Sequence, residues 1–258
     1  MSNFPVRHVL TAGAEKVFST RKTTILGAIA ETPDGRVFRY ALNGGTSIAG
    51  ARLVQSAVSI GSSVHTGGLI MSTVAHGGDA IASGGTTVSL IMVTTNVSSA
   101  NMYADGYLHI DTPPGSGVYL IKGHASGASA TAVSFELYGG DKLKDALSTV
   151  SRFGLRRNPY SDVVIAAATP TGPIIGVTPT EIPASNYFWL QTGGFGSLHA
   201  DTLTTVAGGN LVFSGSSAGK SFAATSNPDH LSFPVVAEAA TAGSAADTDQ
   251  FVKIKVSA

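Results

Sequence analysis

Short apolar runs, each cut off by small turn residues, fill the last third of the chain and restrict it to β-structure. Residues 182–194 read IPASNYFWLQTGG, which puts Tyr187, Phe188 and Trp189, the only tryptophan, in one aromatic strand that stops at Gly193 and Gly194. Further short apolar runs alternate with Gly, Ser and Ala turns as far as the closing FVKIKV of residues 251–256. β-Branched and aromatic side chains fit a pleated, half-buried surface, and Gly and Ser clusters end strands. Alternate residues of a strand face opposite sides, so Tyr187 and Trp189 share one face and Phe188 and Leu190 the other. A strand apolar on both faces is either central to a sandwich or covered by a partner. A carbohydrate platform is the functional alternative, but a structural aromatic core of Tyr187, Phe188 and Trp189 is the stronger reading.

The same texture runs through the rest of the chain. Pro33, Asp34 and Gly35 signal a turn into a strand over 36–42, which Asn43, Gly44 and Gly45 end. Strands are expected over 53–60, 68–74, 87–94, 118–123 and 132–138, and a Pro/Gly loop over 111–117. Asp105 and Gly106 give the signal of a two-residue hairpin turn inside 102–110. One short α-helix is expected near 141–151: Asp141 can cap it, Leu143, Leu147 and Val150 fall on one face, and Gly154 can stop it. The expected fold is mainly β, with sandwich- or barrel-like modules. An extended N-terminal arm spans 1–35, with a terminus carrying one or two edge strands as an equal alternative. A β-rich domain with the helix spans 36–167, a Pro/Thr-rich linker 168–183, and a C-terminal β-barrel-like module 184–258. Residues 37–45 faintly echo 187–194; chance is the favoured explanation over duplication.

Charged residues make up only 12% of the 258, against about 25% in ordinary soluble domains. The surface is therefore built largely from Ser, Thr, Asn, Gly and Ala, which suits a protein that buries much of itself against neighbours and equally a secreted or extracellular structural protein. With 16 basic and 16 acidic residues the net charge is zero, which argues against general nucleic-acid binding. There is no Cys, so no disulfide and no thiolate chemistry. Residues 1–8 hold no apolar signal core and no run is long enough to span a bilayer, so synthesis in a cytoplasm without cleaved export is expected.

Motifs that carry chemistry are weak. Residues 214–221, SGSSAGKS, end like a phosphate-binding loop, but Ser214 stands where the first Gly belongs and Pro228 follows too early for the required helix. A β-turn is the better reading. The seven histidines hold no i, i+4 pair; His109 and His124 flank a hairpin and can meet across it, with Asp105 or Asp111 nearby, though two ordinary strand histidines are the plainer account. No Gly-x-Ser-x-Gly elbow stands at a strand-to-helix turn, and the carboxylates are scattered. No catalytic residue, metal ligand or cofactor is expected. The basic residues Arg7, His8, Arg21 and Lys22, with Arg152, Arg156 and Arg157 after the expected helix, are candidates for contacts between subunits.

Five phrases, in order, carry a family resemblance: ADGYLHI (104–110), GSGVYLIKGH (115–124), LSTVS (147–151), RNPYSDVV (157–164) and NYFWLQTGG (186–194). Together they resemble head decoration, or capsid cement, proteins of tailed phages of aquatic bacteria, over roughly residues 30–258. The C-terminal module is also similar in pattern to small β-barrel-like decoration domains such as that of phage lambda. The resemblance implies a non-enzymatic virion protein. It would bind the outer surface of a mature icosahedral head as a homotrimer at local three-fold positions and clamp neighbouring copies of the major capsid protein. No nucleic acid, membrane or cofactor is implied. A tail or fibre component with a receptor- or glycan-binding role is the alternative, and a polysaccharide-degrading enzyme a third.

Overall fold

The computed structural model describes residues 8–57, 69–70, 82–91, 99–110, 116–127, 132–147, 151–168, 170–199, 211–214, 218–223, 235–239 and 249–256. Seventeen strands lie among them. The first ten are β1 (His8–Val9), β2 (Ile29–Glu31), β3 (Val37–Leu42), β4 (Leu53–Gln55), β5 (Leu69–Ile70), β6 (Thr87–Ile91), β7 (Tyr107–Ile110), β8 (Gly117–His124), β9 (Ala132–Leu137) and β10 (Arg152–Arg156). The rest are β11 (Val164–Ile165), β12 (Ile174–Val177), β13 (Tyr187–His199), β14 (Leu211–Ser214), β15 (Ser221–Ala223), β16 (Val235–Ala239) and β17 (Asp249–Val256). The protein is mainly β; the one helical element among the described residues is a 3-10 turn at Ala14–Lys16.

The chain forms two compact units. Unit 1 joins residues 1–60 to 159–258, and unit 2 is the intervening stretch 61–158. The division therefore falls at these two points and not at 168–183. That stretch is no linker: its β12 is buried at all four positions between β4 and β13. The Pro and Thr residues around it mark the ends of a short core strand.

Unit 1 holds one sheet in the order β1-β2-β3-β13-β17-β16-β14-β15, with β4, β11 and β12 branching from β13. The two echoing segments are direct neighbours: β3 and β13 pair antiparallel from Tyr187↔Leu42 to Gln191↔Phe38. Ala41 from β3 and Phe188 and Leu190 from β13 are buried on one face of the pair, and Phe38 and Tyr40 are buried on the other, so both faces of this pair are covered. Residues 8–35 are folded into this unit. β1 and β2 extend the sheet beyond β3, so the edge-strand alternative for the N-terminus holds and the free arm does not.

Unit 2 holds a six-stranded sheet in the order β5-β10-β7-β8-β9-β6. Strict alternation fixes its inner face. In β9, Val133, Phe135 and Leu137 point inward while Ala132, Ser134 and Glu136 are exposed. They join Val88, Leu90, Tyr103, Leu108, Ile121 and Leu155 in one core. The expected helix near 141–151 does not form across the described residues. Leu143 is held in the manner of a strand, its N–H donating to the Gly85 carbonyl at 3.0 Å and its own carbonyl accepting from Gly84 at 2.7 Å. Asp141 accepts the Leu120 N–H at 2.7 Å instead of capping a helix. Leu143 and Leu147 do share the core, but an irregular segment delivers them. Gly154, the expected stop, lies in the middle of β10 between inward Phe153 and Leu155. The helical spacing was real; Gly84 and Gly85, far away in sequence, offered competing backbone partners.

Candidate interaction surface

In unit 1 the segment after β1 packs against the β3–β13 pair and presents its outer side to solvent. Ser19 and Tyr187 exchange backbone hydrogen bonds, Ser19 N–H donating at 2.9 Å and Tyr187 N–H at 2.7 Å. The Thr23 backbone N–H and its hydroxyl both donate to Tyr40 Oη, at 3.0 and 2.9 Å. Beneath this segment lies an aromatic base. Tyr40 and Tyr187 stack with centroids 5.7 Å apart and planes at 8°, and Trp189 tilts against Tyr40 at 5.0 Å. The register explains the cluster, because Trp189 is the direct cross-strand partner of Tyr40. His8 adds a fourth ring, 5.8 Å from Trp189.

A charged clasp fixes the 3-10 turn to the hairpin between β2 and β3. Arg36 donates from Nη2 to Glu15 Oε1 at 3.2 Å and from Nε to Asp34 Oδ2 at 2.7 Å. Glu15 also accepts the Gly13 N–H at 2.8 Å. Burial pushes its carboxyl up, but its own backbone N–H, Arg36 and Gly13 outweigh that and hold it below the usual carboxylate value. For Asp34 the Thr32 hydroxyl lowers the carboxyl most, with Arg36 adding to it.

Exposed apolar and basic side chains recur along β1 and this segment. Val9 is 77% exposed, Val17 64%, Phe18 43% and Ile25 39%, and Lys16 and Arg21 are exposed between them in sequence. Four of the eight large apolar side chains exposed among the described residues fall in this one stretch. Isolated exposed apolar residues are ordinary, but a group of them on one segment marks an interaction site.

The candidate contact residues are distributed as follows. Arg7 lies outside the described residues. His8 is exposed on β1 with its ring against Trp189, Arg21 is exposed, and Lys22 is half-buried. Arg152, Arg156 and Arg157 belong to unit 2, the first two at the ends of β10; Arg156 is exposed and Arg157 half-buried. The basic residues thus form two groups on separate units. Phe188 is buried in the core, while Tyr187 and Trp189 are half-buried under the N-terminal segment. The apolar members Val9, Val17, Phe18 and Ile25 were missed in the sequence, since none belongs to a periodic pattern.

The weaker motifs resolve too. The Gly-Lys-Ser of 219–221 leads into β15, which pairs antiparallel with β14 from Ser214↔Ser221, so it closes a hairpin and does not open a helix. His109 is exposed opposite Val118 and His124 is buried opposite Phe135, so the two do not meet across the hairpin. Asp105 and Gly106 do not turn a two-residue hairpin. They end a run of turns over 101–106 that leads into β7. Among the described residues no three His, Asp or Glu side chains come together to hold a metal ion. No family model, curated protein or solved structure matches the chain.

Proposed function

We propose that the protein is a virion structural subunit that binds the outer surface of a mature tailed-phage head as trimers and clamps neighbouring capsid subunits. The observation that carries the reading is the run of exposed apolar and basic side chains over residues 9–25, backed by the Tyr40–Tyr187–Trp189 base and the Glu15–Arg36–Asp34 clasp. A rigid backing lowers the ordering cost of docking. The ordered phrases that resemble decoration proteins, together with a mainly-β fold of two sheets, support the same assignment.

Magnitudes favour several copies acting together. The exposed parts of Val9, Val17, Phe18 and Ile25 amount to about two whole side chains, so covering them contributes about 4 kcal/mol. That alone corresponds to a dissociation constant of about 1 mM. Three linked copies raise the effective affinity by about 10²–10⁴ without any new contact, which brings binding into a useful range. A ligand that binds only the assembled lattice then stabilises it by mass action.

The test is light scattering on the purified chain followed by co-sedimentation with undecorated heads. The wild type should pellet with heads at a saturating lattice stoichiometry. A Val17→Ser, Phe18→Ser double variant should stay in the supernatant while its Trp189 fluorescence is unchanged. A wild type that ignores heads overturns the proposal.

A further inference from the structure

Unit 2 contains a buried histidine whose hydrogen bonds admit only one protonation state. β8 changes partner half-way along: residues 117–120 pair with β7, and Ile121, Gly123 and His124 pair with β9. The register shifts between Ile121 and Gly123, so a bulge turns His124 inward where strict alternation would turn it out. His124 is 7% exposed, with its ring 4.7 Å from Phe135 and 5.5 Å from Tyr103.

On the side of this half of β8 that β7 no longer covers lies the turn 101–106. Asp105 N–H donates to the Ile121 carbonyl at 2.8 Å and Ile121 N–H to the Gly106 carbonyl at 2.9 Å. Asn101 N–H donates to the His124 carbonyl, and His124 N–H to Asn101 Oδ1, both at 3.0 Å. The last tie is the imidazole itself. The Tyr103 backbone N–H lies 3.0 Å from Nε2, and the Ala125 carbonyl lies 2.7 Å from Nδ1. A backbone N–H only donates and a carbonyl only accepts, so Nε2 accepts, Nδ1 carries the proton, and the ring is neutral. A second proton would have to sit on Nε2, facing the Tyr103 N–H.

We propose that the turn 101–106 is a latch on β8 that acid releases, with His124 as its catch. This goes beyond the proposed role on a phage head and does not depend on it. Protonation converts the Nε2 bond into two opposed donors and places a charge among apolar rings. Among the described residues that pack against the ring, no carboxylate faces it. From the turn, Asn101 is neutral, Tyr103 is buried, and the Asp105 carboxylate is taken by Tyr138 Oη at 2.5 Å, where the turn meets Ile121. From β9, Phe135 faces the ring and the neighbouring Glu136 pairs with Lys122 of β8 at 2.6 Å on the exposed side. Arg157 acts on the Tyr103 phenol. Burial depresses the basicity of the ring, and the Ala125 carbonyl offsets this only in part.

The sign follows from linkage. A base held neutral in the folded state and free at about 6.5 in the open state binds more protons when open. The latch is at full strength above that pH, and opening becomes up to about tenfold more favourable for each unit below it, until the folded ring itself titrates. Release would expose Tyr103, one of the largest fully buried side chains, and uncover the edge of β8 from Ile121 to His124.

Amide hydrogen exchange on the full chain, expressed as protection factors at pH 7.5 and 5.0, tests this. Wild-type protection over 101–106 should fall about tenfold or more on acidification, with the 187–199 strand unchanged. His124→Gln keeps an acceptor near the Nε2 position and does not titrate, so its protection over 101–106 should be the same at both pH values. Equal acid loss in wild type and variant, or none in wild type, overturns the proposal. Should the variant fail to fold, NMR titration of wild-type His124 decides. A midpoint below the free-histidine value, shared by the Tyr103 ring signals, supports the latch; a midpoint at or above it refutes the latch.

Discussion

Truncating Asn43 to Ala tests how unit 1 is closed at the end of β3. Asn43 is 1% exposed, and its Nδ2 donates to the carbonyls of Pro183 and Thr46 at 2.9 Å and of Ile182 at 3.1 Å. Two hydrogens serve these three acceptors. The Ile182 carbonyl also accepts the Ile48 N–H at 2.9 Å, so it keeps a partner when the side chain is cut back. The carbonyls of Thr46 and Pro183 each lose this donor, at about 1–1.5 kcal/mol apiece. Against that, Asn43 Oδ1 is buried without a hydrogen-bond partner, and removing it returns about 1 kcal/mol. The net loss is about 1–2 kcal/mol, or roughly 5- to 30-fold in the unfolding equilibrium. Urea unfolding followed by Trp189 fluorescence reads unit 1 directly, since the only tryptophan lies in β13. Asn43→Asp keeps the volume but aims a carboxylate at three carbonyl oxygens. Its folded-state pKa must rise, so its stability is greatest below the unfolded value of about 3.9 and is lost as pH climbs through the folded value. A loss under about 0.5 kcal/mol for Asn43→Ala, or an Asn43→Asp variant whose stability relative to wild type ignores pH, refutes the account of this hub.

Two further outcomes follow from the packing. A Cβ at Gly106 would collide with the Arg156 carbonyl oxygen and lie 2.9 Å from that of Tyr103, both backbone atoms. Gly106→Ala should therefore cost unit 2 about 3 kcal/mol or more, seen as rapid proteolysis within 61–158 while Trp189 fluorescence is retained. The depressed Glu15 carboxyl contributes stability that is present above its ordinary value of 4.5 and lost as pH falls through its folded value. Glu15→Gln should be less stable than wild type at neutral pH by Trp189-monitored unfolding, and the gap should close as pH falls below about 4.5.

Local signals were readable where neighbours in sequence set the structure. The Pro33-Asp34-Gly35 turn formed, the strand expected over 132–138 formed as Ala132–Leu137, and of the run expected over 87–94 the described part, Thr87–Ile91, is a strand, with 92–94 outside the described residues. The helix expected from Leu143 and Leu147 failed because Gly84 and Gly85 claimed its backbone, a competition no window of sequence contains. The Pro/Thr stretch read as a linker for a similar reason: Ile174–Val177 is only four residues long, and its burial comes from β4 and β13, elements beyond any local window. The inward turn of His124 depends on a one-residue register shift against β9, and the exposure of Val17, Phe18 and Ile25 on how an irregular segment docks against Tyr40 and Tyr187. Both are set by distant partners.

The placement of unit 2 between β4 and β11 has a consequence for synthesis. β4 and β11 pair with each other, Gln55 with Val164, so the chain leaves unit 1 and returns to it at adjoining strands. Every strand of unit 2 has emerged by residue 156, whereas β3 must wait for β13, some 150 residues later, and β13 for β17. At about 5–20 residues per second, a ribosome completes the inserted unit seconds before its host can close. β1, β2 and β3 can pair with one another early, but β3 lacks β13 on its other edge throughout that interval, and that open edge is the part of the nascent chain that most needs a chaperone.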